Sequence, residues 1–133
     1  MNLKSYLEQH ENIAEEIQFL QSKASSDISE EEAGEIAKHI NTLAGKLNIH
    51  LTMEDKYLYP SLLAKGNTGF AIESYIDEMG GLAKEFTEFK EKYNTKPKLL
   101  EAKASFARDA NTILNKITAR VKKEEDTIYK LID

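Results

Sequence analysis

The sequence predicts an all-α fold, an antiparallel up-down-up-down four-helix bundle built from two helix-pair repeats. The chain has only two prolines and six glycines in 133 residues. Its apolar residues recur at helical spacings, and its second half resembles its first. The breaks between the periodic segments are short, and short connections place long helices antiparallel. We expect one domain covering residues 1–133.

The first helix pair is bounded by polar residues. Helix A is predicted over Leu3–Ser22, followed by a polar break at residues 25–27. Helix B begins at a capping box formed by Ser29 and Glu32. Its apolar pattern continues to about Tyr59–Pro60 or beyond.

The second pair begins after a glycine-containing turn at residues 65–69. Helix C is predicted to extend to about Lys92. A break at residues 94–97 follows, with Pro97 in the first turn of helix D, a position that proline favours. Helix D then continues to the end of the chain.

Each helix carries a mostly apolar stripe, as the core of a bundle requires. The predicted inner positions are Leu7, His10, Ala14, Ile17 and Leu20 in helix A; Ile36, Ile40, Leu43, Leu47, His50, Glu54 and Leu58 in helix B; Tyr75, Met79, Leu82, Phe86, Phe89 and Tyr93 in helix C; and Leu99, Phe106, Ala110, Ile113, Ile117, Arg120, Glu124, Ile128 and Leu131 in helix D. The ionisable members of these stripes are costly to bury unless they are paired or bind a metal.

A comparison of the two halves relates these ionisable positions. Ser5–His10 matches Ser74–Met79, and Leu47–Tyr59 matches Ile117–Tyr129. The corresponding residues are His10 with Met79, His50 with Arg120, Glu54 with Glu124 and Tyr59 with Tyr129. The carboxylates are therefore present in both copies, whereas both histidines are replaced in the second.

The first copy carries a pattern typical of a metal site. His50 and Glu54 lie one helical turn apart and point to the same side of helix B. His10 would add a second imidazole from the neighbouring helix. Two imidazoles with carboxylates suit iron, zinc or manganese. The HxxxE motif alone is weak, but its place on a core stripe and in a repeat makes it more specific.

The sequence resembles the hemerythrin-like HHE cation-binding domains over essentially the whole chain. The resemblance rests on LEQHENI around His10, on HLTMEDKYLYP beginning at His50, and on the two helix pairs. It implies a bundle that holds two irons bridged by carboxylates, and many members bind oxygen. It also implies His10, His50 and the bridging Glu54 as metal ligands. The second bridging carboxylate is Glu124, which the stripe favours, or Glu125, which fits the spacing of the oxygen carriers.

Three positions depart from the family pattern and indicate a degenerate second half-site. The usual HxxxH of helix C is Tyr75 and Met79 here, and the histidine of helix D is Arg120. Met79 is interpreted as core filler, and Tyr75 as a core ring or an iron-bound tyrosinate. We expect Arg120 to replace the second cation and to lie within hydrogen-bond reach of Glu54 or Glu124.

Composition excludes other classes of function. A net charge of −5 argues against a nucleic-acid surface. No apolar run approaches the ~20 residues that a membrane helix needs. The absence of cysteine and of an apolar signal core is compatible with a cytoplasmic location, which we expect.

Two functional hypotheses follow. The first is a metal-binding protein that holds at most one ion, iron or else zinc or manganese, and senses metal, oxygen or redox state without acting as a two-iron oxygen carrier. The second is a metal-free bundle that serves as a scaffold or protein-interaction module, with an unknown protein partner. An enzyme is the weaker option, because no nucleophile, phosphate loop or acid–base pair is evident.

Overall fold

The computed structural model describes residues 3–25, 27–66 and 72–132 of the chain. Within these ranges the helices are α1 (Leu3–Ser22), α2 (Glu30–Met53), α3 (Tyr59–Ala64), α4 (Ile72–Tyr93), α5 (Lys96–Glu101) and α6 (Lys103–Asp126). A π-helical turn (Glu54–Leu58) joins α2 to α3, and a 3-10 turn (Ile128–Leu131) follows α6. No strand forms in the described ranges, which confirms the predicted all-α class.

Helix α2 begins at the predicted capping box. The backbone N–H of Glu32 donates to Ser29 Oγ at 3.1 Å, and the backbone N–H of Ser29 donates to Glu32 Oε1 at 3.3 Å. Two of the amides that a helix N-terminus leaves unpaired are thereby satisfied.

The π turn carries helix B through Pro60, so the helix does extend beyond that residue. A proline inside a helix lacks the N–H for the usual bond and clashes with the carbonyl four residues earlier. Here the chain makes a wider turn just before Pro60, and the N–H of Tyr59 bonds to the carbonyl of Glu54. The extra residue changes the register, so that Leu58 and Tyr59 are both buried. The sequence analysis did not foresee this π turn.

Helix D is divided, which was also not predicted. Thr95 accepts a hydrogen bond from the N–H of Lys98 at 3.3 Å, and Pro97 lies in the first turn of α5 as expected. The helix then breaks at Ala102, whose φ of −110° and ψ of 18° are not helical. Helix α6 begins at the next residue.

The predicted middle turn at residues 65–69 is described only up to Gly66. The φ of Gly66 is +80°, which is strained for any residue with a side chain. Residues 67–69 lie outside the described residues, as does Ser26 in the predicted break at 25–27.

Helices α1 and α4 each pack against both α2 and α6. Between them lie two apolar clusters. The larger cluster includes Ile13, Leu47 and Ile117, whereas the smaller one includes Tyr6 and Ile128. The ionisable residues of the stripes fall between these groups along α1, α2 and α6. A buried polar layer therefore separates the two clusters.

Most of the predicted inner positions are buried, but Ala14 is exposed, so its assignment to the stripe of helix A was wrong. Tyr6 and Ile13 are buried in that helix instead. Their spacing around His10 places the buried face of α1 slightly away from the predicted one. Within the described part of the chain, every helix is too short or too polar to cross a lipid bilayer.

Candidate metal centre

Four side chains converge in the polar layer. His10 of α1, His50 of α2, Glu54 of the π turn and Glu124 of α6 each offer one ligand atom, and these atoms lie within 4.8 Å of one another. All four residues are buried. The cluster joins three helices that are distant in the sequence, so it forms only in the folded chain.

The two imidazoles face each other through their Nε2 atoms, which are 3.1 Å apart. The Nδ1–H of His10 donates to Glu125 Oε2 at 2.8 Å, and the Nδ1–H of His50 donates to Gln9 Oε1 at 2.7 Å. The Gln9 amide is oriented by its own Nε2, which donates to Met53 Sδ at 2.8 Å. In their neutral form both rings therefore direct an Nε2 lone pair into the cluster. Two such lone pairs repel each other unless a proton or a cation lies between them.

Glu124 supplies the clearest indication of a cation site. Its two carboxylate oxygens are buried, and neither has a hydrogen-bond partner among the described residues. Its Oε2 lies 3.7 Å from both His10 Nε2 and His50 Nε2. A buried carboxylate without a donor is costly, and a metal ion at the two Nε2 atoms would satisfy it. The donor set thus fits a metal ion.

Glu54 is held by two tyrosines and one histidine. Its Oε2 accepts a hydrogen bond from Tyr129 Oη at 2.8 Å and lies 3.3 Å from His50 Nε2. Its Oε1 accepts a longer hydrogen bond from Tyr59 Oη at 3.5 Å.

Tyr129 belongs to the site, although the sequence analysis did not select it. Its Oη lies 3.0 Å from His10 Nε2 and 3.4 Å from His50 Nε2. The match of Tyr59 with Tyr129 in the repeat was an available indication, because Tyr59 follows the HxxxE segment closely. Gln9 and Met53 were also missed, and their positions carry no comparable sequence signal.

The electrostatics of the layer favour protons where no cation is present. Burial and the adjacent Glu124 raise the pKa of Glu54 to about 8. Burial alone would lower the pKa of His50, but contacts with Glu124 and Glu54 outweigh it and raise this pKa to about 9. Burial acts to raise the pKa of Glu124, yet the surrounding Glu54, His10 and His50 lower it. Burial and the two carboxylates raise the pKa of Tyr129. The ionised Glu124 is thus balanced by protons on its neighbours.

Arg120 does not pair with the carboxylates of the cluster, so that expectation was wrong. Its guanidinium donates to Glu78 on α4 and lies over the ring of Tyr75, 5.2 Å from the ring centroid. Among the described residues it forms no hydrogen bond or ion pair with Glu54 or Glu124. The side chain is long enough to reach the half-exposed Glu78, where an ion pair costs less desolvation. Its Nη1 is buried and has no hydrogen-bond partner in the part of the chain that the structure describes.

The other two residues of the replaced half-site are also turned to different partners. The hydroxyl of Tyr75 shares a hydrogen bond of 2.5 Å with Thr127 Oγ1, outside the cluster. Met79 is buried and, together with His50, lines a half-open cavity of about 500 Å³ that is mostly apolar. Among the described residues, none of the three replaced side chains therefore forms a hydrogen bond with His10 or His50.

The chain is thus an all-α protein with a buried layer of two imidazoles and two carboxylates between its helices, a group of side chains able to hold a metal ion. The family model described as the hemerythrin HHE cation binding domain matches residues 2–132, nearly the whole chain. The protein belongs to the hemerythrin family, and the resemblance deduced from the sequence is confirmed. Comparisons with curated proteins and with solved structures gave no significant match.

Proposed function

We propose that this protein binds one iron ion through His10, His50, Glu54 and Glu124, and that it senses metal, oxygen or redox state without carrying oxygen reversibly. The observation that carries the proposal is the buried Glu124 carboxylate, which has no hydrogen-bond donor and faces two imidazole Nε2 atoms. A cation at this place resolves both the unpartnered charge and the repulsion between the facing lone pairs.

The donor types select the ion. Two imidazoles with two carboxylates suit iron, manganese or zinc better than calcium or magnesium, which prefer oxygen ligands alone. Iron is our choice because the family is one of cation-binding domains and iron adds a change of redox state to ligand binding. Such a change of charge in a buried layer is what a sensor of redox state requires.

The residues around the cluster prepare it for an ion. Glu125 and Gln9 accept the Nδ1–H of His10 and His50, which fixes the tautomer in which Nε2 is free. The apolar clusters on either side exclude water and hold the rings in place. The site therefore requires little rearrangement on binding.

The restriction to one ion is supported by the replaced half-site. Tyr75 is bonded to Thr127, Met79 lies in an apolar environment, and Arg120 brings a permanent positive charge near the layer. A second cation would have to share the two carboxylates without any imidazole of its own. We also infer the up-down-up-down bundle from the packing of α1 and α4 against both α2 and α6.

Elemental analysis of the purified protein after loading with ferrous iron without oxygen tests the proposal. We expect one iron per chain for the parent and loss of binding for His50→Ala. His39→Ala is the matched control, because His39 is bonded to Glu16 away from the cluster and its loss should leave binding intact. Two irons per chain would contradict the restriction to one ion. A chain that binds no ion would leave the metal-free scaffold as the function.

The sensing role needs a separate measurement. Hydrogen exchange of the ferrous and ferric forms should differ in the segments that carry the ligands, which are α1, α2, the π turn and α6, and less in α5. Identical exchange in both forms would leave the protein as a metal binder without the proposed role.

A further inference from the structure

We infer that Tyr129 is a further ligand of this centre and gives its phenolic oxygen to a ferric ion, an inference that rests on the proposed function. The cluster of histidines and carboxylates does not include this residue. The inference starts from the place of Tyr129 Oη, which is in contact with both imidazoles and with one carboxylate.

The separations fit adjacent donors around one ion. Tyr129 Oη lies 2.8 Å from Glu54 Oε2, 3.0 Å from His10 Nε2 and 3.4 Å from His50 Nε2. Metal bonds of about 2.1 Å place neighbouring donors about 3.0 Å apart at right angles and about 3.4 Å apart in a tetrahedron. The two Nε2 atoms are themselves 3.1 Å apart. The phenolic oxygen therefore occupies a position equivalent to that of the other donors.

The ring of Tyr129 is held in this orientation. It is 2 % exposed and stacks on His10, with the ring centroids 5.0 Å apart and the planes 20° apart. Tyr6 packs against it from another side at 5.6 Å. The 3-10 turn after α6 fixes its backbone. A ring so enclosed cannot withdraw its oxygen when an ion enters.

Two other buried tyrosines near the layer lack this relationship. Tyr59 Oη reaches only Glu54 Oε1, at 3.5 Å, and Tyr75 Oη is bonded to Thr127. Neither hydroxyl contacts an imidazole within the described part of the chain. Tyr59 is thus a natural control, since it is the repeat counterpart of Tyr129 and touches the same carboxylate.

The charge balance selects ferric iron. Glu54, Glu124 and a phenolate would together bring three negative charges to the layer, which equal the charge of a ferric ion. Coordination replaces the phenolic proton, together with the protons that Glu54 and His50 hold in the metal-free protein, by the ion. These protons pass to the solvent, so each O–H or N–H bond that breaks is replaced by a bond to iron. A neutral assembly is the arrangement that a buried layer tolerates best.

Titration of the metal-free protein with ferric nitrilotriacetate tests the inference. Phenolate bound to ferric iron absorbs in the visible and enhances the tyrosine ring modes in resonance Raman spectra. We expect both signatures in the parent, with the modes shifting when the tyrosines are ring-deuterated. Tyr129→Phe should lose the visible band and bind iron at least about tenfold more weakly, whereas Tyr59→Phe should keep the band.

The outcomes separate this inference from the proposed function. If the parent binds one iron without the visible band, Tyr129 is not a ligand, but the metal site stands. If it binds no iron, both proposals fall. A band that persists in Tyr129→Phe overturns the inference, provided that circular dichroism shows a folded variant. Should that variant not fold, single phenylalanine replacements of Tyr6, Tyr59 and Tyr75 must all keep the band, and loss of the band in any one of them contradicts the assignment.

Discussion

His10 Nδ1 donates a hydrogen bond of 2.8 Å to Glu125 Oε2, on the side of the ring that faces away from Glu124. Two consecutive glutamates of α6 therefore act on the same imidazole. Glu124 is buried and faces Nε2, whereas Glu125 is partly exposed and holds Nδ1. The sequence leaves open whether Glu124 or Glu125 faces the site. In the structure Glu124 faces the cluster, whereas Glu125 orients the ring of His10.

Glu125→Ala should weaken metal binding by about 10- to 100-fold without changing the number of ions bound. Removal of a carboxylate that orients a ligating histidine typically has an effect of this size. Isothermal titration calorimetry with ferrous iron under nitrogen measures it. Asp126→Ala is the matched control, because it removes the same charge at the next position, which is exposed. Equal affinities for the parent and Glu125→Ala would contradict the role given to this carboxylate.

Arg120→Ala should cost about 0.5–2 kcal/mol of unfolding free energy. The pair with Glu78, in which the arginine is mostly buried and the glutamate about half-exposed, is worth about 0–1 kcal/mol, and the contact with the ring of Tyr75 about 0.5–1 kcal/mol. One-sided loss of a buried charge pair would cost about 3–5 kcal/mol, which was the expectation while Arg120 was assigned to the carboxylates. Urea unfolding of the metal-free protein distinguishes these values.

Lys116→Ala provides a matched comparison for the stability loss of Arg120→Ala. Lys116 pairs with Glu85 at 2.8 Å across the same two helices, but both side chains are about half-exposed. Lys116→Ala should therefore cost less than Arg120→Ala. If Arg120→Ala lowered the unfolding free energy by more than about 3 kcal/mol, the arginine would have to interact with the buried carboxylates after all.

The convergence of His10, His50, Glu54 and Glu124 could be foreseen because these residues continue the apolar stripes of helices A, B and D at helical spacing. Tyr129 was missed although the repeat offered an indication, because it follows α6 in a 3-10 turn where helical spacing no longer fixes the direction of a side chain. The predicted bound iron, its number and a cytoplasmic location remain predictions.

Two other features depended on tertiary structure. The direction of Arg120 was missed because a long side chain pairs according to what its neighbours offer, and Glu78 lies on a different helix. The π turn before Pro60 was missed because a proline in a helical pattern predicts either an end or a kink, and packing decides which. The break at Ala102 has no glycine or proline to announce it.

The pH dependence of stability should carry a contribution from Glu16. Burial acts to raise its pKa, but hydrogen bonds that it accepts from His39 at 2.6 Å and from Lys46 at 3.0 Å outweigh this and lower it. A carboxyl whose pKa is lower in the folded state stabilises the fold above its unfolded pKa of about 4.3. This stability is lost as the pH falls through the lowered folded value.

Urea unfolding at different pH values measures this contribution. We choose a range of about pH 6 to about pH 3 because it brackets the usual carboxyl pKa of about 4. The difference between the parent and Glu16→Gln should be largest at the upper end and should shrink as the pH falls. Glu11→Gln is the control, because Glu11 is exposed and should give a small, nearly constant difference. A Glu16→Gln difference that grows towards low pH would have the wrong sign for a lowered pKa.

Exposed glycines in α4 offer a route to greater stability. A Cβ added at Gly80 or Gly81 would meet nothing within 4 Å, and both residues are helical. Alanine at either position should raise the unfolding free energy by about 0.5–1 kcal/mol, because it reduces the freedom of the unfolded chain. Gly66→Ala should instead lower it by about 1 kcal/mol, since the φ of Gly66 is +80° although its surroundings are equally open. Thermal melting compares the three, and the same sign at all positions would refute the conformational argument.

Glu124→Gln separates the stability of the metal-free fold from its response to metal. The amide keeps the shape of the side chain but removes a buried charge whose oxygens have no hydrogen-bond partner among the described residues. The metal-free variant should be less stable than the parent, because the lowered pKa of Glu124 means that the fold favours its ionised form at neutral pH. Its response to iron should be much smaller, because the neutral amide is a poor ligand. At a free iron concentration of 100 Kd the parent gains about 2.7 kcal/mol, whereas a variant that binds a hundredfold more weakly gains only about 0.4 kcal/mol.

Urea unfolding of the parent and Glu124→Gln, with and without ferrous iron, gives these values directly. Glu91→Gln is the matched control, because it removes the same charge from an exposed position on α4. It should keep the iron response of the parent and change the metal-free stability by less than about 0.5 kcal/mol. A Glu124→Gln variant that keeps the full response would exclude Glu124 from the centre. A metal-free Glu124→Gln variant as stable as the parent would show that the neighbouring groups do not favour the ionised carboxylate, because a lowered pKa must appear as stability above the unfolded value.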